Sequence, residues 1–318
     1  MLMLSGSSIC GELPPICNSI VPERFTAEFC DVDFLPPCEA HIPLPPPQVP
    51  PPIRLGTAKR NYGNVTLQVY NKVMESSDAV YKIETVTDLN HKEMYSLFTE
   101  MPRTKNTIDI VVASDLPYNH RQYLEGKFDV FFVAGTSYQA QSITIVMPST
   151  STIKTLHGLS KASQNFCDKI VYTFDYLACP VYVDSARRWV KDYIPGFVVK
   201  SKSVDELSKL AAEKNKSGDH EFIVVSWIPH GFNTEFDMVE LDTQELKLKD
   251  VNQGKALVRK DAAWKLGKRG ISLLASVRVP TEDVQVMDFN VTKGGMTPAE
   301  AAARWINDHQ GTVDMWSW

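Results

Sequence analysis

Alternation of short apolar segments with amphipathic ones begins at residue 53 and constrains the fold more than any other feature of the sequence. The first apolar segments are IRLGT (53–57), VYKIETV (80–86) and IDIVVAS (108–114). The first intervening segment predicts a helix from about residue 62 to 75, since apolar residues recur at helical spacing at Tyr62, Val65, Val69 and Val73. Strand–helix alternation on this scale predicts parallel or mixed sheets with helices on both faces.

A second series of the same kind follows residue 150. Its predicted strands are KIVYTF (169–174), FVVKS (197–201) and FIVVSW (222–227), with helices near 181–193 and from Ser203. Capping-box sequences at Ser203 and Thr297 mark two helix starts. Between the series, FDVFFVAG (128–135) and SITIVMP (142–148) predict two separate strands, and the chain after about residue 252 is predicted to be helical. Two series indicate an α/β protein with two lobes.

A run of prolines marks the first domain boundary. PLPPPQVPPP (43–52) has seven prolines in ten positions, a composition that favours extended polyproline II structure. We therefore predict an irregular N-terminal arm with a proline-rich linker over residues 1–52. The predicted lobes are lobe 1 (53–150), lobe 2 (151–252) and a return to lobe 1 with C-terminal helices (253–318).

Charge and hydropathy limit the classes of partner. The net charge is −5 and the basic residues are scattered, which argues against a nucleic-acid partner. No segment approaches the roughly 18–20 apolar residues of a membrane span. The first residues, MLMLSGSSICGEL, lack the basic leader and apolar core of a secretory signal, so the expected location is cytoplasmic. The expected form is a monomer with a small-molecule ligand or substrate.

Metal and cofactor chemistry has no sequence support. Four cysteines crowd the first forty residues, at Cys10, Cys17, Cys30 and Cys38, but their spacings do not match a zinc site. A disulfide-bonded arm and free thiols in an irregular extension both remain open. The glycine-rich nucleotide motifs, the hydrolase elbow and H-E-x-x-H are missing. We therefore expect neither a cofactor nor a metal ion.

The segment VVSWIPHGF (224–232) indicates where a ligand binds. An apolar strand ends at Trp227 and is followed by Pro229, His230 and Phe232. Open α/β sheets bind ligands at strand ends, where aromatic and titratable side chains can converge. This segment is therefore the first candidate for a binding site.

Four segments in order resemble the glycine betaine/choline-type substrate-binding proteins of ABC importers. They are DIVVASDLPYNHRQYL, VFFVAGTSYQAQSITIVMP, FIVVSWIPHGFNTEFDMVELD and MTPAEAAARWINDHQGTVDMW. The resemblance covers about residues 53–318. It implies a type II periplasmic-binding fold with a ligand cleft between its two lobes. In that family the lobes close around a quaternary ammonium ligand, which an aromatic cage holds by cation–π attraction.

Matching of individual residues to that family shows where this chain departs from it. The resemblance makes Trp227 a cage tryptophan and His230 the histidine of the same turn. Asp115 stands where the first lobe has a cage tryptophan, and the third cage position falls within Lys59–Asn61. The family's glycine-rich turn maps onto 175–180, which contains a proline and bulky side chains.

Two titratable residues are candidates for chemistry, each with a structural alternative. Asp115 is expected either to act as an acid, base or partner of a cation, or to cap the following helix. His230 is expected either to donate or shuttle a proton, or to bond a nearby backbone carbonyl. Trp227 is expected to form an aromatic wall, or else to pack in the core. The other expected ligand-binding residues are Arg60, Asn61, Tyr62, Tyr118, Tyr138, Tyr172, Asp175, Tyr176 and Phe232.

Two functions from different classes fit these features. The first is a cofactor-independent isomerase, cyclase or lyase of a biosynthetic pathway, with Asp115 and His230 as its acid/base pair acting on a small organic substrate. The second is a non-catalytic small-molecule binding protein with altered ligand specificity. The enzyme is the favoured expectation, because titratable groups replace apolar rings and an export signal is not recognised in the first residues.

Overall fold

A computed structural model describes residues 51–77, 81–117, 119–162, 166, 168–175, 181–219, 221–242 and 251–316, with the backbone alone at 141–143, 181, 182, 185 and 251. The strands are β1 Ile53–Ala58, β2 Ile83–Leu89, β3 Ile110–Leu116, β4 Phe131–Pro148, β5 Ile170–Phe174, β6 Val198–Lys202, β7 Val224–Ile228, β8 Met238–Glu240 and β9 Val251–Arg259. The helices are α1 Asn61–Ser76, α2 His91–Thr99, α3 Arg121–Leu124, α4 Leu156–Ala162, α5 Val181–Tyr193, α6 Val204–Ser217, α7 Gly231–Glu235, α8 Ala263–Ser276, α9 Thr281–Thr292, α10 Pro298–Asp308 and α11 Gln310–Trp316.

The described strands hydrogen-bond in the order β2-β1-β3-β9-β4-β7-β5-β6, with β8 also beside β4. Strand β1 pairs in parallel with β2 and β3, and β5 pairs in parallel with β6 and β7. Strands β4 and β9 are antiparallel to their neighbours. The result is the predicted α/β architecture of two lobes, each built around a parallel group of strands.

Strand β4 belongs to both lobes. Its first part, from Phe131 to Gln141, pairs with β9 in lobe 1, and its last part pairs with β7 and β8 in lobe 2. Gln141 is the crossing point, because it pairs with Val251 on one side and with Ile228 on the other. The prediction of two separate strands between 128 and 148 is therefore wrong, and one continuous strand joins the lobes.

Helices cover both faces of each lobe. In lobe 1, one core contains residues of α1, α8, α9, α10 and α11, and the opposite core contains residues of α2 and α3. In lobe 2, α4 and α5 cover one face, whereas α6 and α7 cover the other. The predicted apolar face of α1 is confirmed, since Tyr62, Val65, Val69 and Val73 are all buried.

The capping signals located helix starts accurately. One strand in the C-terminal third was not predicted. The capping boxes at Ser203 and Thr297 are both formed, and a third lies at Asn90. Residues 251–259 form β9 rather than helix. This strand lies in the middle of lobe 1, between β3 and β4. Its sequence, VNQGKALVR, obscures the strand pattern because its first half is polar.

Gly135 in β4 provides a test of this packing. A Cβ atom there would lie 2.6 Å from the Leu274 carbonyl oxygen and 2.8 Å from the Ala275 Cα atom of α8. We expect Gly135→Ala to lower the free energy of unfolding by about 1–3 kcal/mol, because backbone atoms cannot move aside as a side chain can. Urea denaturation measures this change.

Gly311→Ala in α11 is the matched control, since its new Cβ would meet no atom within 4 Å. We expect this control to leave stability unchanged or to raise it by up to about 1 kcal/mol. Equal effects of the two substitutions would contradict the close approach of α8 to β4.

Candidate functional site

The two lobes present the same local turn at the ends of strands β3 and β7. In lobe 1, Asp115 lies two residues before Pro117, and in lobe 2, Trp227 lies two residues before Pro229. The Leu116–Pro117 and Ile228–Pro229 peptide bonds are both cis. Asp115 and Trp227 therefore occupy corresponding positions in the two lobes.

The Asp115 carboxylate is buried and accepts three hydrogen bonds from side chains. Oδ2 accepts from Arg60 Nη1 at 3.0 Å and from the Tyr62 hydroxyl at 3.1 Å. Oδ1 accepts from the Tyr138 hydroxyl at 3.0 Å. Burial raises the pKa of the Asp115 carboxyl, whereas the charge of Arg60 and the Tyr138 hydrogen bond oppose that rise. The positive charge of Arg60 directly balances the buried carboxylate.

Gly254 allows Tyr138 to reach Asp115. Strand β9 lies between β3 and β4, and its Gly254 pairs with Asp115 on one side and with Tyr138 on the other. The Tyr138 ring lies over Gly254, in the space that a Cβ atom would otherwise take. A glycine in the middle strand therefore lets a tyrosine hydroxyl cross one strand to a carboxylate on the next.

A second layer of polar residues fixes the backbone of Asp115. The Asp115 amide donates to His120 Nδ1 at 2.9 Å, and the Tyr95 hydroxyl lies 2.9 Å from the same nitrogen. The His120 and His91 rings are 4.8 Å apart. Burial lowers the pKa of both histidines, to about 3 for His91, with the Arg60 charge as a further cause. This layer is therefore neutral at ordinary pH.

In lobe 2, Trp227 lies within a group of aromatic rings. Its ring centroid is 4.2 Å from that of His230 and 5.1 Å from that of Phe174. Phe232 packs edge-on against Phe174 at 5.2 Å. The partly buried Trp227 contacts both the lobe 1 core on the α1 side and the lobe 2 core on the α7 side. Trp227 therefore lies where the two lobes meet.

His230 has a local structural role. Its Nδ1 accepts a hydrogen bond from the Phe232 amide at 3.3 Å and so caps the N-terminus of α7. Burial lowers the pKa of His230 to about 3, so the ring is neutral. The expected bond to a backbone carbonyl is not made by Nδ1, because this nitrogen accepts from a backbone N–H.

Helix α9 docks against the turn that contains His230. The His230 amide donates to Gln285 Oε1 at 3.4 Å, and the Gly231 amide donates to Asp288 Oδ2. A Cβ atom on Gly231 would lie 2.7 Å from the Phe289 amide nitrogen. Burial raises the pKa of the Asp288 carboxyl to about 7, opposed by the Gly231 hydrogen bond. Because α9 belongs to the lobe 1 core, this contact links the lobes.

The remaining predicted site residues make other contacts, are exposed, or are not described. Asn61 is exposed and donates to Thr292 Oγ1 at 3.0 Å. Tyr172 packs against Phe222 at the edge of the lobe 2 core, with ring centroids 5.4 Å apart. Asp175 is exposed at the end of β5. Tyr118 and Tyr176 lie outside the described residues.

Several residues of these groups were missed by the sequence analysis. Phe174 ends an apolar strand, as Trp227 does, and this common position could have identified it. Asp288, His120 and Gly254 have no such local signal, because their partners lie on other segments. Among the described residues, no group of three or more His, Cys, Asp or Glu side chains could hold a metal ion.

Two α/β lobes joined by the crossing strand β4, with a charged group near the end of β3 and an aromatic group near the end of β7, are the features of a two-lobed substrate-binding fold. The family model for the substrate binding domain of ABC-type glycine betaine transport systems matches residues 51–308. The chain belongs to this family. A search of curated protein sequences gave no significant match.

Solved structures support the same fold. Lactococcal OpuAC, closed around glycine betaine, has a TM-score of 0.62 at 18% identity, over 84% of this chain and 99% of that one. The glycine betaine/L-proline-binding protein ProX from Borrelia burgdorferi has a TM-score of 0.60 at 17% identity, over 84% and 96%. A choline-binding protein in complex with choline has a TM-score of 0.58 at 15% identity, over 83% and 90%. The predicted type II periplasmic-binding fold is thereby confirmed.

The prediction of a biosynthetic isomerase, cyclase or lyase is wrong. The family consists of substrate-binding domains of transport systems, and the similar structures are binding proteins. The local geometry agrees with this correction. Asp115 is held by Arg60 and two tyrosine hydroxyls, and His230 Nδ1 is used to cap α7, so the proposed acid and base each have a structural partner.

The prediction of a cytoplasmic location is also wrong. It depended on the first residues of the chain, whereas the family identifies a substrate-binding domain of an importer, which meets its ligand outside the cytoplasm. Within the part of the chain that the structure describes, no helix is long and apolar enough to cross a bilayer.

Gly254→Ala tests the link between Tyr138 and Asp115. The new methyl group would overlap the Tyr138 ring and move its hydroxyl away from Asp115. We expect a loss of about 2–4 kcal/mol in the free energy of unfolding, from overpacking together with a lost hydrogen bond to a charged group. The double variant Gly254→Ala/Tyr138→Ala should lose less than the sum of the single variants in urea denaturation. Strict additivity would contradict the proposed overlap.

Asp288→Asn tests the burial of that carboxyl at the lobe contact. Because the pKa of Asp288 is raised to about 7 in the folded protein, folding favours the protonated carboxyl. This contribution to stability is fully present below about pH 4 and is lost as the pH rises to about 7. We therefore expect Asp288→Asn to gain stability relative to the wild type between pH 5 and pH 8, by on the order of 2–4 kcal/mol. Urea denaturation at both pH values measures the gain.

The control for this experiment is Asp308→Asn, which changes an exposed carboxylate at the end of α10. Its stability relative to the wild type should be the same at both pH values. A constant difference between Asp288→Asn and the wild type would show that Asp288 is not buried at this contact.

Proposed function

We propose that this chain is a non-catalytic binding protein of an ABC-type importer. In this proposal it takes up a small organic molecule between its lobes and presents it to a membrane transporter. The family and the fold support this function, as does the position of Trp227. A strand-end indole that contacts the cores of both lobes is suited to cover a ligand when the lobes approach each other.

The proposed ligand-binding surface has one side in each lobe. Lobe 1 provides a polar side built on the buried Arg60–Asp115 ion pair. Lobe 2 provides an aromatic side, with Trp227 held by Phe174 and His230. The remaining proposed members are Asn61, Tyr62, Tyr118, Tyr138, Tyr172, Asp175, Tyr176 and Phe232.

The proposed ligand differs from those named for the similar structures. Glycine betaine and choline are the ligands in the related complexes. In this chain a carboxylate, Asp115, stands at the lobe 1 position that corresponds to Trp227 in lobe 2. A change from an aromatic ring to an ion pair supports an altered ligand specificity. We further propose that the protein acts as a monomer, with lobe 1 formed by 53–150 and 253–318 and lobe 2 by 151–252. Two short segments depart from these bounds, because the end of β4 pairs with the lobe 2 strands β7 and β8, and the start of β9 pairs within lobe 1.

A ligand screen followed by substitution of Trp227 tests this function. Compounds that bind the folded protein raise its melting temperature, so a thermal-shift screen of a metabolite library identifies the ligand. Trp227→Ala should then weaken binding by about tenfold or more in titration calorimetry, because it removes a large aromatic contact surface. The bound compound should be recovered chemically unchanged.

Trp264→Ala is the matched control, since Trp264 in α8 is 65% exposed. It should bind the same compound with wild-type affinity. Conversion of the compound to a product, or equal affinities of both tryptophan variants and the wild type, would contradict the proposed function.

A further inference from the structure

Arg60 is placed in lobe 1 as a bound cation would be. Its guanidinium carbon lies 4.5 Å from the centre of the Tyr62 ring, and its Nη1 donates to the Tyr62 hydroxyl oxygen. Its Nη1 lies 3.0 Å from Asp115 Oδ2, and the two side chains are only 9% and 4% exposed. Tyr138 stands edge-on to Tyr62, with ring centroids 6.2 Å apart, and its hydroxyl donates to the same Asp115 carboxylate.

The backbone also holds the guanidinium in this position. Arg60 Nη2 donates to the Ala113 carbonyl oxygen at 3.3 Å. Ala113 has a positive φ of 57°, within an irregular stretch of β3 that ends at Ser114. The Ala113 carbonyl oxygen therefore faces the guanidinium at a point where the regular pairing of β3 is interrupted. Aromatic rings, a carboxylate and a carbonyl oxygen are the groups that bind an organic cation.

We infer that Arg60 is a tethered cation that occupies the lobe 1 part of the ligand site and makes the receptor select ligands without a cationic group. This inference rests on the proposed function, because it assigns specificity to that site. A free cation would have to displace Arg60 or bind beside a like charge. A tethered group competes at an effective concentration of roughly millimolar or more, so displacement is unfavourable for an ordinary ligand.

The inference predicts a gain of function. Arg60→Ala removes the tethered cation and leaves Asp115, Tyr62 and Tyr138 to receive a free one. We expect Arg60→Ala to bind choline at least about tenfold more tightly than the wild type in titration calorimetry. Methylguanidinium chloride should raise the melting temperature of Arg60→Ala above that in sodium chloride of equal ionic strength, with no such rise for the wild type.

Two variants distinguish this role from that of a structural ion pair. Arg60→Ala/Asp115→Asn should lose the gained choline affinity, since the carboxylate that attracts the cation is gone. Arg54→Ala is the matched control, because Arg54 in β1 pairs with Glu84 at 3.0 Å and belongs to neither strand-end group. It should gain neither choline binding nor stabilisation by methylguanidinium.

The inference is overturned if folded Arg60→Ala binds choline no more tightly than the wild type does. If Arg60→Ala fails to fold, Arg60→Met is used in its place, because methionine keeps the aliphatic volume without the charge. A folded Arg60→Met that does not bind choline also overturns the inference. If neither variant folds even with methylguanidinium present, the free cation does not replace Arg60 and the inference fails. A ligand found for the wild type would leave the proposed function intact in each case.

Discussion

The buried carboxylate of Asp115 is the constraint on which the organisation of lobe 1 depends. An unpaired ionised carboxylate in a protein interior costs several kcal/mol, so its burial requires a positive charge and hydrogen-bond donors. Arg60 supplies the charge, and Tyr62 and Tyr138 supply hydroxyl donors. Because Tyr138 must cross β9 to donate, the position between them in the sheet has to be Gly254.

The two lobes use one strand-end turn for different purposes. In lobe 2 the turn ends β7 with Trp227, whose indole contacts the cores of both lobes. In lobe 1 the same turn ends β3 with Asp115, which is turned inward to Arg60. In the function that we propose, the aromatic side covers a ligand, whereas the charge of Asp115 is already balanced by Arg60 of the chain itself. Family membership supports a receptor, and this asymmetry is the reason for our proposal that its ligand differs from a quaternary ammonium compound.

Local patterns in the sequence predicted much of the fold and pointed to part of the candidate site. Helical spacing predicted α1, and capping boxes located two helix starts, because these signals arise within a few residues. Strand-end position identified Asp115 and Trp227. The strand β9 was missed because its first residues are polar, and its place between β3 and β4 depends on pairing over more than a hundred residues. The ion pair to Arg60 and the contact of Asp288 with Gly231 also join distant segments, which spacing alone does not reveal.

The central claim is that lobe 1 carries its own cation on a buried carboxylate. A double-mutant cycle between Arg60 and Asp115 tests this claim most directly. The free energy of unfolding would be measured for the wild type, Arg60→Met, Asp115→Asn and the double variant. The account predicts a favourable coupling of more than about 1.5 kcal/mol, because each single change leaves the partner buried without its counter-charge. Additive effects within about 0.5 kcal/mol would show that the two groups do not stabilise each other and would contradict the account.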